Sequence, residues 1–184
     1  MTFSNILQHK WKVLAALILL FWPVIVPEML VHLTIEIIIF SLFAISMNLV
    51  LRGVGLLSFG HAAFFGVGAY AMALIGKQVP GMPLLLILAL AAVTGFVFAL
   101  LIGSLCVRAR PAYFPLLTLA FQMLLFAVAL KWRALTGGDD GMGITRPDFS
   151  LPFLGKISLL PVNHLYFFTL IIVVLAIIGC YLLL

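Results

Sequence analysis

The stretch Gly53–Gly76, GVGLLSFGHAAFFGVGAYAMALIG, combines a strongly apolar composition with six glycines. Glycine is permissive in backbone conformation and weakens a helix interior by roughly 0.5–1 kcal/mol relative to alanine. A segment that only anchors a protein in a bilayer has no need of so many glycines, whereas one that bends, breaks or receives a neighbouring helix does. Irregular backbone at membrane depth is tolerated where it lines a cavity or lies within protein. The stretch is therefore predicted to be the working part of a membrane translocation device.

The composition restricts the class of protein. Of the 184 residues, 66% are hydrophobic and 8% are charged, whereas a soluble domain carries about 25% charged residues. The apolar runs are continuous rather than alternating, which excludes a β-barrel. The basic residues behind the net charge of +5 are few and scattered, so no nucleic-acid partner is predicted. The two cysteines lie in apolar runs without metal-ligand spacing, and no cofactor is predicted. The fold class is an all-α polytopic membrane protein in the lipid bilayer.

Six apolar runs are long enough to span, since about 20 residues cross a bilayer core. They predict one transmembrane domain over residues 1–184, with spans near residues 13–30, 33–51, 55–76, 84–107, 113–130 and 165–184. Lys and Arg flank the runs on both sides, and their placement in short segments favours a cytoplasmic N-terminus. That orientation makes residues 1–12 a cytoplasmic leader and residues 131–164 a periplasmic loop. The last run has no polar flank, and a C-terminally incomplete chain is expected.

The third span carries small residues on one face, at Ser58, Ala62 and Gly66. Small residues spaced by four let two helix backbones approach closely. Two alternatives stay open for this segment: a fully helical span packed through its glycines, or a discontinuous span whose start is unwound or re-entrant. Unwound backbone would offer free N–H and C=O groups to a substrate. Both alternatives place the segment inside the helix bundle.

The candidate site residues cluster around this segment. His61 lies well inside an apolar run, where it contacts substrate or hydrogen-bonds to a neighbouring helix. The predicted substrate path consists of Asn48, Ser58, Gly60, His61, Phe64 and Gly68. The predicted helix-packing positions are Ala62, Gly66, Gly95, Ala99 and Gly103.

The polar segment between the last two runs contains LTGGDDGMGI at Leu135–Ile144. Asp139 and Asp140 resemble a catalytic carboxylate pair, but adjacent residues rarely point at one bond. Gly137 and Gly138 are typical turn formers, so a structural or docking loop is the preferred interpretation. The sequence contains no nucleophile elbow, phosphate-binding loop or zinc-binding helix. The chain is therefore predicted not to be an enzyme, and any nucleotide it depends on must bind to another subunit.

Three stretches together resemble one family. NLVLRGVGLLSFGHAAFFGVGAYAMALI at Asn48–Ile75 is similar to the glycine-rich signature of the branched-chain amino acid ABC permeases of the LivM type. RARPAYFPLLTLAF at Arg108–Phe121 resembles that family's Arg-x-Arg-x-x-Tyr-Phe segment, and LTGGDDGMGI resembles its Thr-Gly-Gly loop. The order and spacing of the three agree as well. Pro111 and Pro115 depart from the pattern, since relatives more often have glycine or alanine there.

The resemblance implies part of an ABC importer permease fold in the bacterial inner membrane. It implies as partners a LivH-like second permease, two cytoplasmic ATPases and a periplasmic binding protein that delivers the substrate. The loop residues Gly137, Gly138, Asp139 and Asp140 would then dock the binding protein, and leucine, isoleucine and valine would be the substrates. Urea or short-chain amide permeases, which share a similar glycine-rich segment, are one alternative. A membrane scaffold or assembly fragment that transports nothing is another, from a different class.

Overall fold

A computed structural model of the chain describes residues 18–144, 149–151, 155–157, 159 and 161–182. The described part of the first helix, α1, covers residues 18–25. The helices that follow are α2 (Glu28–Val54), α3 (His61–Gln78), α4 (Leu84–Cys106), α5 (Phe114–Lys131), α6 (Arg133–Thr136) and α7 (Val162–Leu182). A 3₁₀ turn covers Gly138–Asp140, and the strands β1 (Phe149–Leu151) and β2 (Gly155–Ile157) pair as a short antiparallel hairpin. The predicted leader, residues 1–12, lies outside the described residues.

Four of the described helices are long and apolar enough to cross a membrane, namely Glu28–Gly53 of α2 and the whole of α4, α5 and α7. Their outward faces are apolar, and Phe96 of α4 is 66% exposed. An apolar outer surface suits hydrocarbon, while the helices satisfy their own backbone hydrogen bonds. The predicted class of α-helical polytopic membrane protein is therefore confirmed. The short hairpin in the polar loop was not predicted.

The chain divides into two compact units. The first consists of Met1–Ala44 with Leu160–Leu183 and contains α1, the first part of α2, and α7. Its buried centre is formed by Val31, Ile35 and Tyr166. The Tyr166 hydroxyl donates a hydrogen bond to the Leu19 carbonyl at 2.8 Å. This bond gives the polar end of a fully buried aromatic ring a partner, as burial requires.

The second unit, Ile45–Leu159, contains the end of α2, α3, α4, α5 and the polar loop. In this unit α3 packs along α4. A Cβ added to Gly95 would lie 3.8 Å from the Phe64 carbonyl oxygen, and one added to Gly68 would lie 3.9 Å from the Ala91 carbonyl oxygen. These distances are ordinary van der Waals contact, so glycine brings the two backbones close along this seam.

The boundary between the first two helices lies at Pro27, where the predicted spans were placed near residues 13–30 and 33–51. The backbone N–H groups of Leu30 and Val31 donate to the Pro27 carbonyl at 2.9 and 3.2 Å, so α2 begins at Glu28. Proline has no N–H and fixes its own φ, which suits it to the start of a helix. From there α2 continues past Arg52 to Val54. Pro27 therefore marks the boundary between α1 and α2.

Candidate functional site

The glycine-rich segment is interrupted near its start. The helix α2 ends at Val54, residues 55–60 contain no helix, and α3 begins at His61. Gly55 has φ +70°, a left-handed conformation that side chains disfavour and glycine accepts at little cost. Of the two alternatives for this segment, the structure has the one with a non-helical start. Residues 55–60 are called the helix break below.

On one side, the helix break contacts α5. The Phe59 backbone N–H donates a hydrogen bond to Thr118 Oγ1 at 3.2 Å. A Cβ added to Gly60 would lie 2.7 Å from the Thr118 carbonyl oxygen, closer than real Cβ atoms approach. Glycine is therefore required at position 60, because the two backbones are in direct contact there. This contact fixes the place where α3 begins.

On its other side, the start of α3 contacts α2. Ser46 Oγ lies 2.7 Å from His61 Nε2, which is hydrogen-bonding distance. A hydroxyl can serve as donor or acceptor, so either tautomer of the imidazole is accommodated. His61 therefore does what the sequence analysis gave as one of its two alternatives, a bond to a neighbouring helix. The same bond holds His61 beside the helix break.

Apolar side chains also hold the helix break in place. Ile102, Cys106 and Phe114 form a buried cluster, and Leu56 of the helix break packs against it. Ser58 is 7% exposed. Ser58 and Gly60 are thus buried against protein, while Gly55 and Phe59 are exposed, so the helix break is covered by neighbouring helices on one side only.

A cavity of about 480 Å³ lies between α3 and α5. One face of each helix contributes to its wall, including Ala62, Gly66 and Tyr70 of α3 and Gln122, Phe126 and Ala129 of α5. No atom lies within 4 Å of where a Gly66 Cβ would be. The predicted close helix contact of the Ala62 and Gly66 face is therefore not made by the described residues, and this face lines the cavity instead.

Gln122 supplies a polar group to this apolar wall. Its amide oxygen is buried and has no hydrogen-bond partner among the described residues. Leaving a buried acceptor unpaired costs about 1–3 kcal/mol. Rotation about the last side-chain bond exchanges the amide oxygen and nitrogen, and either can then occupy this buried position. Gln122 and Tyr70 are the polar residues among the described residues that line the cavity.

The predicted path residues do not all meet at one place. Ser58, Gly60 and His61 come together at the helix break. Phe64 packs in the apolar cluster, and Gly68 faces α4. Asn48 is exposed on α2. Among the predicted packing positions Gly95 lies against α3, whereas Gly103 has no neighbour within 4 Å.

Sequence reasoning assigned no site role to Thr118 and Gln122. They are polar residues four positions apart in an otherwise apolar helix, so they lie on one face of α5. This four-residue spacing of polar residues could have identified them from the sequence as site candidates. The contact between residues 59 and 118 is non-local, and no local pattern reveals it.

The Thr-Gly-Gly loop is built around a buried threonine. Thr136 Oγ1 lies 2.5 Å from the Ala129 carbonyl oxygen, and the Gly138 N–H donates to it at 3.3 Å. Gly137 has φ +79°. The two neighbouring carboxylates, Asp139 and Asp140, are exposed. The arrangement gives the end of α5 a fixed loop with an acidic outer surface, and the docking role of these four loop residues stays a prediction.

Comparison with known proteins places these features in a family. The family described as "Branched-chain amino acid transport system / permease component" matches residues 29–184. The high-affinity branched-chain amino acid transport system permease protein LivM of Salmonella typhimurium is 28% identical over 152 residues. LivM of Escherichia coli is 27% identical over the same length. Each match covers 82% of this chain and 36% of the relative, so the chain spans about a third of the length of these relatives. No solved structure matches.

The apolar helices and the interrupted glycine-rich segment define an α-helical membrane protein of the permease class. The chain belongs to the branched-chain amino acid transport system / permease component family.

Proposed function

We propose that the chain is a permease subunit of an ABC importer and forms part of the translocation path for leucine, isoleucine and valine. The observation that carries this proposal is the family match over residues 29–184. The helix break supports it, because interrupted helices offer backbone N–H and C=O groups to a substrate.

The cavity favours an aliphatic amino acid over a small polar amide. Apart from Gln122 and Tyr70, the described residues that line it are apolar. Ligand sites generally combine apolar walls with a small number of polar groups that fix orientation. A branched aliphatic side chain would bury apolar surface here at about 25 cal/mol per Å². Urea has no apolar part to gain from such a wall.

The partners follow from the same proposal. The sequence contains no phosphate-binding loop, so ATP hydrolysis belongs to two separate cytoplasmic subunits. A LivH-like second permease would complete the path, and a periplasmic binding protein would deliver the substrate to the loop that carries Asp139 and Asp140. The assembly would lie in the bacterial inner membrane with the N-terminus of this chain in the cytoplasm. The chain itself is a transport subunit rather than an enzyme.

Reconstitution tests the proposal. The permease that contains this chain is inserted into proteoliposomes with the second permease, the two ATPases and the binding protein, and uptake of radiolabelled leucine is measured with ATP inside the vesicles. We expect accumulation that needs ATP and that excess valine or isoleucine suppresses but urea does not. An ATPase subunit unable to hydrolyse ATP is the control. Uptake of urea without leucine would favour the amide alternative, and an assembled complex that moves neither would favour a scaffold.

A further inference from the structure

Thr118 connects α5 to the helix break through its hydroxyl. The oxygen accepts a hydrogen bond from the Phe59 N–H at 3.2 Å and donates one to the Pro115 carbonyl at 2.9 Å. The residue is 4% exposed, so water cannot readily replace either bond. We propose that Thr118 is a positioning residue for transport, which makes α5 and the helix break move as one unit. Only the transport part of this inference rests on the proposed function.

The Thr118 hydroxyl differs from an ordinary helical threonine. A threonine inside a helix commonly bonds to a carbonyl of its own preceding turn. Among the described residues Thr94 of α4 makes only this kind of bond, with its Oγ1 3.1 Å from the Leu90 carbonyl oxygen and 2.8 Å from the Ala91 carbonyl oxygen. Thr118 makes the same kind of bond to Pro115 and uses the remaining acceptor capacity of its oxygen for Phe59. The second bond joins segments 59 residues apart.

The backbone contact at Gly60 makes this connection rigid. The Thr118 carbonyl oxygen occupies the space that a Gly60 side chain would need, at 2.7 Å from a Cβ placed there. Two backbones in direct contact cannot adjust by a change of rotamer, whereas two side chains can. A displacement of α5 at this level therefore displaces the helix break as well.

The other end of α5 carries the Thr-Gly-Gly loop. Thr136 Oγ1 lies 2.5 Å from the Ala129 carbonyl oxygen. A Cβ added to Gly138 would lie 3.1 Å from the Leu130 carbonyl oxygen. The loop is thus packed on the last turns of a helix about 27 Å long. This helix joins the loop to the helix break, so a force applied at the loop reaches the break through Thr118.

Cysteine labelling tests the positioning role without any need for transport. Ser58→Cys is placed in the helix break of the full chain, and its reaction with N-ethylmaleimide is followed in membrane vesicles. The chain without the added cysteine gives the background from Cys106 and Cys180. We expect Thr118→Val to raise the labelling rate about five- to tenfold, because the helix break loses the stabilisation of one buried hydrogen bond. An unchanged rate in Thr118→Val would overturn the proposal.

Two matched variants separate positioning from general loosening. Thr118→Ser keeps the hydroxyl and should label as slowly as the parent. Thr94→Val removes a hydroxyl that bonds only within its own helix and should also leave the rate unchanged. Faster labelling in Thr94→Val to the same extent would contradict a specific role for Thr118.

A substitution on the other side of the contact, in the helix break, provides the test if the Thr118→Val variant does not accumulate in membranes. Gly60→Ala must push the helix break away from the Thr118 carbonyl and should raise the labelling rate. Gly66→Ala, which has open space around it, is its control and should not. Equal labelling in the two alanine variants would refute the contact on which the proposal rests.

Transport measurements form a separate arm. In the reconstituted importer, Thr118→Val should lower the maximal uptake rate about tenfold and leave the half-saturating leucine concentration within about twofold, with Thr118→Ser restoring the rate. A parent importer that transports nothing would refute the proposed function, while the labelling result would still decide the positioning role. A changed half-saturating concentration at an unchanged maximal rate would contradict a positioning role and place Thr118 in substrate binding.

Discussion

Gly137 shows how a single residue fixes the geometry of the Thr-Gly-Gly loop. It has φ +79°, and a Cβ placed on it would clash with the carbonyl group of Gly141. This turn therefore requires glycine at position 137, because the Gly141 backbone occupies the space that a side chain would need. The carboxylates of Asp139 and Asp140 keep their exposed positions because this turn holds them there.

A substitution at Gly137 should destabilise the folded chain. Gly137→Ala imposes a left-handed conformation on alanine, which costs about 1–2 kcal/mol, and adds a steric clash. We expect the midpoint of thermal unfolding in detergent to fall by about 4–8 °C. Gly143→Ala, where nothing lies within 4 Å, should leave the midpoint unchanged. Equal midpoints for the two variants would contradict the described turn.

Gln122 should be dispensable for stability and needed for transport. Replacing a glutamine whose buried amide oxygen has no partner among the described residues by an apolar group of similar size is close to neutral or stabilising. Gln122→Leu should therefore keep its thermal midpoint, while the half-saturating leucine concentration for uptake should rise about five- to tenfold as a hydrogen bond to the substrate is lost. Met123→Leu, in the same cavity wall, is the control for shape. A lower midpoint with unchanged uptake would assign Gln122 a structural role instead.

At the scale of single residues, some of the site residues could be predicted from the sequence and others could not. Ser58, Gly60 and His61 could be selected because glycine and polar residues are conspicuous in an apolar run. Thr118 is equally polar, but its importance depends on a contact with Phe59 that only the folded chain creates. Asn48 is as polar as these residues and lies exposed on α2. Polarity within a span therefore indicates candidates, and packing decides which of them meet.

At the scale of the elements, the packing of α3 on α4 follows from small residues on both helices. Ala91 and Gly95 of α4 face Phe64 and Gly68 of α3, with backbone atoms in van der Waals reach. The spacing by four in α4 predicted a close packing seam. It could not predict how far the seam extends, since Gly103 on the same ridge has no neighbour within 4 Å. The length of the packing seam depends on where α3 begins, and the position of the helix break determines where α3 begins.

A matched pair of leucine substitutions tests this seam. Gly95→Leu puts three further carbon atoms beyond a Cβ that is already in contact with α3, and such overpacking costs about 1–3 kcal/mol. We expect less folded chain in membranes and faster proteolysis. Gly103→Leu adds the same side chain on the same ridge in open space and should have neither effect. Equal resistance to protease in both variants would show that the seam does not hold the two helices together.

At the scale of the whole molecule, the orientation in the membrane links the sequence to the proposed partners. The described spans agree with an α-helical membrane protein and leave open which side the Thr-Gly-Gly loop occupies. Lys and Arg are equal in number on the two sides, so the predicted orientation rests on their placement in short segments. The loop can meet a periplasmic binding protein only if it lies outside. The proposed docking role therefore depends on the predicted cytoplasmic N-terminus.

Labelling with a membrane-impermeant maleimide tests the orientation. Asp139→Cys, an exposed position of the loop, should react in cells whose outer membrane alone is opened. Arg110→Cys, exposed between α4 and α5, should react only after the inner membrane is opened as well. The opposite pattern would invert the topology and exclude the loop as a docking site for a periplasmic protein.

The central proposal is that leucine crosses the membrane through the cavity between α3 and α5. ATP-dependent leucine uptake by the reconstituted importer tests it most directly in two variants, Gly66→Leu and Gly53→Leu. Both add a leucine side chain where nothing lies within 4 Å, but only Gly66 lines the cavity. We predict an assembled complex in both, with uptake reduced at least about tenfold in Gly66→Leu and unchanged in Gly53→Leu. Full uptake by an assembled Gly66→Leu complex would contradict the claim.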